Sequence, residues 1–210
     1  MHANASSLKV LRMPEIQQMR IPNQMIRRAD VIALLGATLR LRLLDTNTVC
    51  SSADEAMPLM RNKPPFGPLR LRGLQVFAQD LTDDERVGTF ADALSPHASI
   101  TTLILFSAQL GTDAAMGRVV DAAIALRMQL LELYDCALTP ASLRQLTRLV
   151  DSECLFALRI MALGDDPPYD EGPETRNFCR AVQASGLHVD GTGAGGVAIV
   201  EETILVLNQP

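Results

Sequence analysis

One spaced phrase of apolar residues recurs along this chain at nearly constant intervals, and that recurrence limits the possible folds more than any single motif. The clearest copies are Leu71/Leu74/Val76/Gln79/Leu81, Ile100/Leu103/Leu105/Ala108/Leu110, Met128/Leu131/Leu133/Cys136/Leu138 and Leu155/Leu158/Ile160/Leu163. Their anchors Leu74, Leu103, Leu131 and Leu158 lie 29, 28 and 27 residues apart. A unit this short cannot enclose its own apolar residues, so successive units must stack to bury them. Weaker copies at Leu8/Leu11/Met13/Ile16, Leu41/Leu43/Thr46 and Leu187/Val189/Thr192/Ala194 extend the series to about seven units. The longer step from Leu41 to Leu74 contains "RNKPPFGP" at Arg61 to Pro68, whose prolines cannot extend a helix, and reads as an insertion in a connecting loop.

Helix signals follow each phrase at consistent positions. Thr82 with Glu85 has capping-box spacing, and Val87, Phe90, Ala91 and Leu94 then share one helical face. Thr112 is placed to cap a helix carrying Met116, Val119, Val120, Ala123 and Ile124. Thr139 and Pro140 supply an N-cap and a favoured first helical residue before the stripe Leu143, Leu146, Leu149 and Val150. Each unit therefore reads as a short strand, a turn and a helix. The segment after "GTGAGG" reads as a terminal helix over residues 197–207, with Val197, Val200, Ile204 and Leu207 on its buried side, a possible cap for the array.

Phrase and helix together resemble the leucine-rich repeat, and the unit length and helical second half are similar to the ribonuclease-inhibitor-like subclass. The resemblance covers nearly the whole chain and is most specific in residues 71–163. It implies an α/β fold: a single solenoid over residues 1–210, a horseshoe arc with parallel strands on the concave face and helices on the convex face. Members of that family place Asn or Cys where the strand turns outward, bonded to backbone of the neighbouring turn. The corresponding positions here are Gln79, Ala108, Cys136, Leu163 and Thr192, so a ladder of such bonds is expected to be incomplete.

Strand alternation identifies what the core leaves outside. With Leu74 and Val76 pointing inward, Gln75 and Phe77 face outward; the next strands present Ile104 and Phe106, then Glu132 and Tyr134, then Arg159 and Met161. Phe77, Phe106, Tyr134 and Met161 thus fall in one row, about 4.8 Å apart from strand to strand. A contiguous row of large exposed apolar groups marks an interaction surface. Ile104, Glu132, Arg159 and His188 flank it as further partner-binding candidates, with Arg12 and Arg42 as polar selectivity around them. The competing reading is that the row stacks only on itself or is covered by the rest of a longer protein.

The remaining motifs point elsewhere weakly or not at all. "GTGAGG" at Gly191 to Gly196 matches the wording of a dinucleotide loop, but the chain ends at Pro210 without the further acidic strand that such a fold requires, so the glycines read as a turn. His2, His97 and His188 are scattered, with none at metal-ligand spacing. The acidic segment "GDDPPYDEGPE" at Gly164 to Glu174 lacks calcium-loop order and reads as a solvated loop, while Asp80, Asp83, Asp84 and Asp113 are expected along the same rim. Cys50, Cys136, Cys154 and Cys179 form no CxxC pair, and the opening "MHANASSLKV" is not a signal peptide, so reduced thiols in a cytoplasmic protein are expected. No run approaches the roughly 20 apolar residues of a membrane span. The formal charge of -5 disfavours nucleic acid as partner, although residues 1–44 carry seven basic against two acidic residues and the remainder twelve against twenty-two.

These observations lead to a non-catalytic protein–protein interaction module, a scaffold that binds a protein partner on its concave face, with no catalytic residue, cofactor or metal implied. Two alternatives belong to other classes: a GTPase-activating or other enzyme-regulating repeat protein, and, because the series begins almost at Met1 without a clear polar cap, the repeat segment of a larger receptor or assembly. The sequence does not indicate an oligomeric state.

Overall fold

The computed structural model describes residues 17–38, 40, 42–61, 68–94, 99–155, 157–161, 172–185, 197–200 and 203–206. Strands and helices alternate along the chain: β1 (Gln18–Arg27), α1 (Arg28–Ala37), β2 (Leu43–Cys50), α2 (Ala53–Met60), β3 (Leu69–Phe77), α3 (Asp84–Leu94), β4 (Thr102–Phe106), α4 (Asp113–Ala125), β5 (Leu130–Tyr134), α5 (Pro140–Asp151), β6 (Ala157–Met161), α6 (Pro173–Ala184), β7 (Val197–Val200) and β8 (Thr203–Val206). All eight strands join one sheet in sequential order. Pairing is parallel from β1 to β6 and antiparallel for β6–β7 and β7–β8. A sequential parallel order with right-handed crossovers puts the connecting helices on one face of the sheet and, among the described residues, leaves the other face open.

The core lies between sheet and helices. Leu74, Val76, Leu103, Leu105, Leu131, Leu133, Leu158 and Ile160, the residues whose alternation points them inward, are all buried. From the helices, Val87, Phe90, Ala91, Leu94, Met116, Val119, Val120, Ala123, Leu143, Leu146, Leu149 and Val150 meet them. Ile124, at the margin of its stripe, is only partly buried against this core.

The register between β3 and β6 reproduces the sequence frame residue for residue: Leu74 pairs with Leu103, Leu103 with Leu131, and Leu131 with Leu158. Upstream the frame needs correction. Leu74 pairs with Thr48, not Leu41, and Val76 with Cys50, not Leu43. The step into β3 is thus 26 residues, from Thr48 to Leu74, and no insertion is required. Buried threonines at Thr46 and Thr48, where other units carry leucine, hid the phrase. The strand before it, β1, lies at Gln18–Arg27 and matches no predicted unit. The expected units at Leu8–Ile16 and Leu187–Ala194 lie outside the described residues.

The expected helix over 197–207 is instead a pair of strands, β7 and β8, with Val200 opposite Thr203. Val197, Ile199, Val200, Thr203, Ile204 and Val206 are β-branched, which disfavours a helix and suits a pleated strand. The apolar spacing alone fitted either structure.

Helix ends are secured locally. Thr112 Oγ1 accepts the Ala115 N–H at 3.0 Å, and the Thr139 N–H donates to Ser142 Oγ at 3.2 Å, with Pro140 in the first turn. The expected Thr82 cap is replaced by Asp83, whose carboxylate accepts the Arg86 N–H at 2.9 Å. That bond, first, and the Thr82 hydroxyl hold the Asp83 carboxyl below its usual range. At the other end of α4, the Met128 N–H reaches the Ala123 carbonyl and the Arg127 N–H that of Ile124, with Arg127 left-handed at φ 50°. This is a Schellman termination, normally built with glycine. Glu153, beyond α5, repeats the left-handed turn at φ 54°.

Neighbouring units are also stitched together. Asp92–Arg118 and Asp121–Arg148 join α3 to α4 and α4 to α5 at 2.5 and 2.8 Å. The Thr139 hydroxyl donates to the Gly111 carbonyl. A Cβ at Gly111 would sit 2.9 Å from the Ala137 carbonyl oxygen, so the close passage of these two turns requires glycine.

Candidate functional site

The four positions of the expected row are equivalent in the sheet. Phe77, Phe106, Tyr134 and Met161 are in register on β3 to β6. Parallel strands about 4.8 Å apart hold rings at equivalent positions at stacking distance. Phe77 and Phe106 have centroids 4.9 Å apart and planes inclined by 20°; Phe106 and Tyr134 are 4.6 Å apart at 11°. Phe77 ends the stack and is 43% exposed, whereas Phe106 and Tyr134, expected to be exposed, are half-buried by the stacking. Met161 keeps its place in the row by backbone register.

The adjacent row, Gln75, Ile104, Glu132 and Arg159, is also in register. Ile104 and Arg159 are half-buried. Glu132 departs from the expected exposure: it is 8% exposed because its neighbours close over it. The Tyr134 hydroxyl donates to Glu132 Oε2 at 2.8 Å, and Arg159 Nη1 donates to Glu132 Oε1 at 2.9 Å and to Tyr134 Oη at 3.4 Å. Burial, first, and the neighbouring Glu132 push the Tyr134 phenol above its ordinary value, while Arg159 opposes the shift. The phenol stays protonated and donates at neutral pH. Glu132 is therefore less a recognition group than an anchor that fixes Tyr134 and Arg159. His188 lies outside the described residues, as do His2, His97, Arg12, the "GTGAGG" segment and most of the acidic loop.

Sequence reasoning missed a second polar feature of the same face. Arg20, Asp45 and Arg70 are opposite one another on β1, β2 and β3. Between Thr46 and Asn47 the β2–β3 register shifts by one, and Arg72 is the extra residue. Arg72 Nε donates to Asp45 Oδ1 at 2.7 Å; the Asp45 side chain is 1% exposed, that of Arg72 45%. Beside the bulge, Gly73 lets Asn47 cross the strand, since a Cβ there would lie 2.8 Å from Asn47 Oδ1. The alternation of Leu69 and Leu71 with Arg70 and Arg72 was the available sequence signal.

The acidic rim is corrected in its role. Asp80 accepts the Ala53 and Asp54 N–H groups at 2.9 Å each, capping α2 from the next unit. The Thr112 hydroxyl donates to Asp84, and Gln145 Nε2 donates to Asp113 at 2.9 Å. These carboxylates hold adjacent units together. Gln79 is also corrected: it is exposed, and Ala78 is buried at that turn. The Cys136 thiol lies 3.7 Å from the Leu105 carbonyl of the preceding unit and 3.5 Å from the Tyr134 carbonyl. Burial pushes the Cys136 thiol to about 11 and the Cys50 thiol to about 12, so both stay protonated and unreactive at neutral pH.

Among the described residues no three His, Cys, Asp or Glu side chains gather as a metal site, and no helix is long and apolar enough to cross a membrane. No protein-family model matches the sequence, and a search of curated proteins finds no match.

Proposed function

We propose that this chain is a leucine-rich-repeat solenoid of the ribonuclease-inhibitor-like kind, acting as a non-catalytic cytoplasmic module that binds a protein partner on its concave face. The observation carrying the reading is the in-register ring stack Phe77–Phe106–Tyr134, which ends in a 43% exposed Phe77. Ring rows of this kind supply large contact area at little cost in side-chain entropy, and aromatic anchors dominate the energetics of protein interfaces. Arg159, held by Glu132, adds a directed donor beside the rings. The strand-turn-helix units and the 26- to 29-residue steps between Thr48, Leu74, Leu103, Leu131 and Leu158 support the fold assignment.

The test compares Phe106→Ala with Tyr134→Ala, as one double variant, against Arg118→Ala on the helical side. Each protein is used for affinity capture from native extract, with thermal unfolding in parallel. The double variant is expected to lose captured partners while Arg118→Ala retains them. Unchanged capture by a folded double variant overturns the concave row as the binding site.

A further inference from the structure

We infer that the β1–β3 part of the open face is a docking site for an acidic polypeptide segment. The inference names the chemistry of the partner and rests on the reading that the open face binds protein, but it stands on different residues.

Strand alternation and register put four arginines on this part of the face. On β1, Ile26 pairs with the buried Thr48, which leaves Arg27 on the open side; Arg20 pairs with Asp45. On β3, Arg70 and Arg72 alternate with the buried Leu69 and Leu71. Against Arg20, Arg27, Arg70 and Arg72 the open side of β2 offers a single acid, Asp45. Among the described residues Arg20, Arg27 and Arg70 have no ion-pair partner, whereas Arg86, Arg118, Arg144 and Arg148 on the helical side each face a carboxylate. The open face is thus divided into a basic part on β1–β3 and a ring-bearing part on β3–β5.

The single acid orients this cluster without neutralising it. Asp45 is buried and takes the Arg72 Nε, while its other oxygen has no partner. Held through Nε, the Arg72 guanidinium keeps its two terminal nitrogens for a second carboxylate, the bidentate geometry for which arginine is suited. Arg20 and Arg70 stand two strand spacings apart, about 10 Å. Carboxylates two residues apart lie on one face of an extended chain at roughly 7 Å, within reach of both flexible guanidinium groups.

Nucleic acid is held along an extended basic groove or stripe, a larger basic surface than four arginines on two strands. An acidic polypeptide segment, presenting carboxylates at intervals along an extended backbone, fits the local charge and spacing.

The test uses the full chain and a fluorescein-labelled octaglutamate peptide, followed by anisotropy at low salt and at about 0.15 M. The peptide is expected to bind saturably, to weaken with salt, and to lose affinity at least about tenfold for Arg20→Glu with Arg70→Glu. Arg118→Glu on the helical side should match the parent protein. The neutral pair Arg20→Gln with Arg70→Gln should give a smaller loss of the same sign, and circular dichroism checks folding throughout. Absence of peptide binding, an equal loss in Arg118→Glu, or tighter binding of a single-stranded oligonucleotide of equal charge overturns the inference. Octaglutamate carries no apolar group, so its binding reads the arginines, while partner capture by the Phe106→Ala, Tyr134→Ala double variant reads the ring row, and failure of one is thereby distinguished from failure of the other.

Discussion

At the scale of single residues, the molecule depends on positions that the repeat makes equivalent. Leu131 is wholly buried between strands and helices, in register with Leu103 and Leu158. Leu131→Ala should cost about 2–5 kcal/mol, because the surroundings collapse only partly into the space left. Denaturant titration measures it, and a change below about half a kcal/mol would contradict the packing. Arg127 is exposed and left-handed at the end of α4, a conformation that costs a side chain roughly 1–2 kcal/mol and glycine almost nothing. Arg127→Gly should raise the thermal midpoint; a lower midpoint would speak against the Schellman turn. The leucine was legible in the sequence from its spacing. The turn was not, because arginine carries no signal for left-handed backbone and takes it only under the demands of the units on either side.

At the scale of elements, caps and inter-unit bonds decide where each helix begins. Asp83 accepts the Arg86 N–H at the start of α3, and its carboxyl is held below the ordinary value. A depressed folded value means that the stabilisation is fully present above the unfolded carboxylate range, about pH 4, and fades as pH falls through the folded value. Melting curves of the parent and Asp83→Ala should therefore differ near pH 7 and converge in acid; a gap that widens in acid would rule out the cap. Sequence reading chose Thr82 because Thr82 and Glu85 have the spacing of a capping box. Asp83 has an equally suitable side chain one residue later, and only the path of the backbone out of β3 selects between them. The same limit explains β7 and β8: Val197, Val200, Ile204 and Leu207 satisfy helical spacing, but β-branched residues beside the free edge of β6 pair as strands.

At the scale of the whole molecule, the strictly sequential sheet makes stability local, since each unit packs chiefly on the ones before and after it. Val31 is the fully buried residue of α1, at one end of the described array. Val31→Ala should raise amide hydrogen exchange in β1, α1 and β2 while β5 and β6 keep their protection. A uniform rise along the sheet would show instead that the array opens as one cooperative body.

What the sequence determined by itself was the period, the strand-helix alternation, the buried leucines and the ring row Phe77, Phe106 and Tyr134, with Met161 at the next register position. All follow from local spacing: a two-residue alternation and a repeated step leave one consistent way to bury the apolar residues. The tertiary structure alone decided the β2 frame, where Thr48 and Cys50 replace leucines, and the burial of Glu132 beneath Tyr134 and Arg159. It also brought Arg20, Asp45, Arg70 and the bulged Arg72 together. Those residues are distant in sequence and ordinary in type, and their association depends on strand register, which is set by the packing of whole units and not by any one of them.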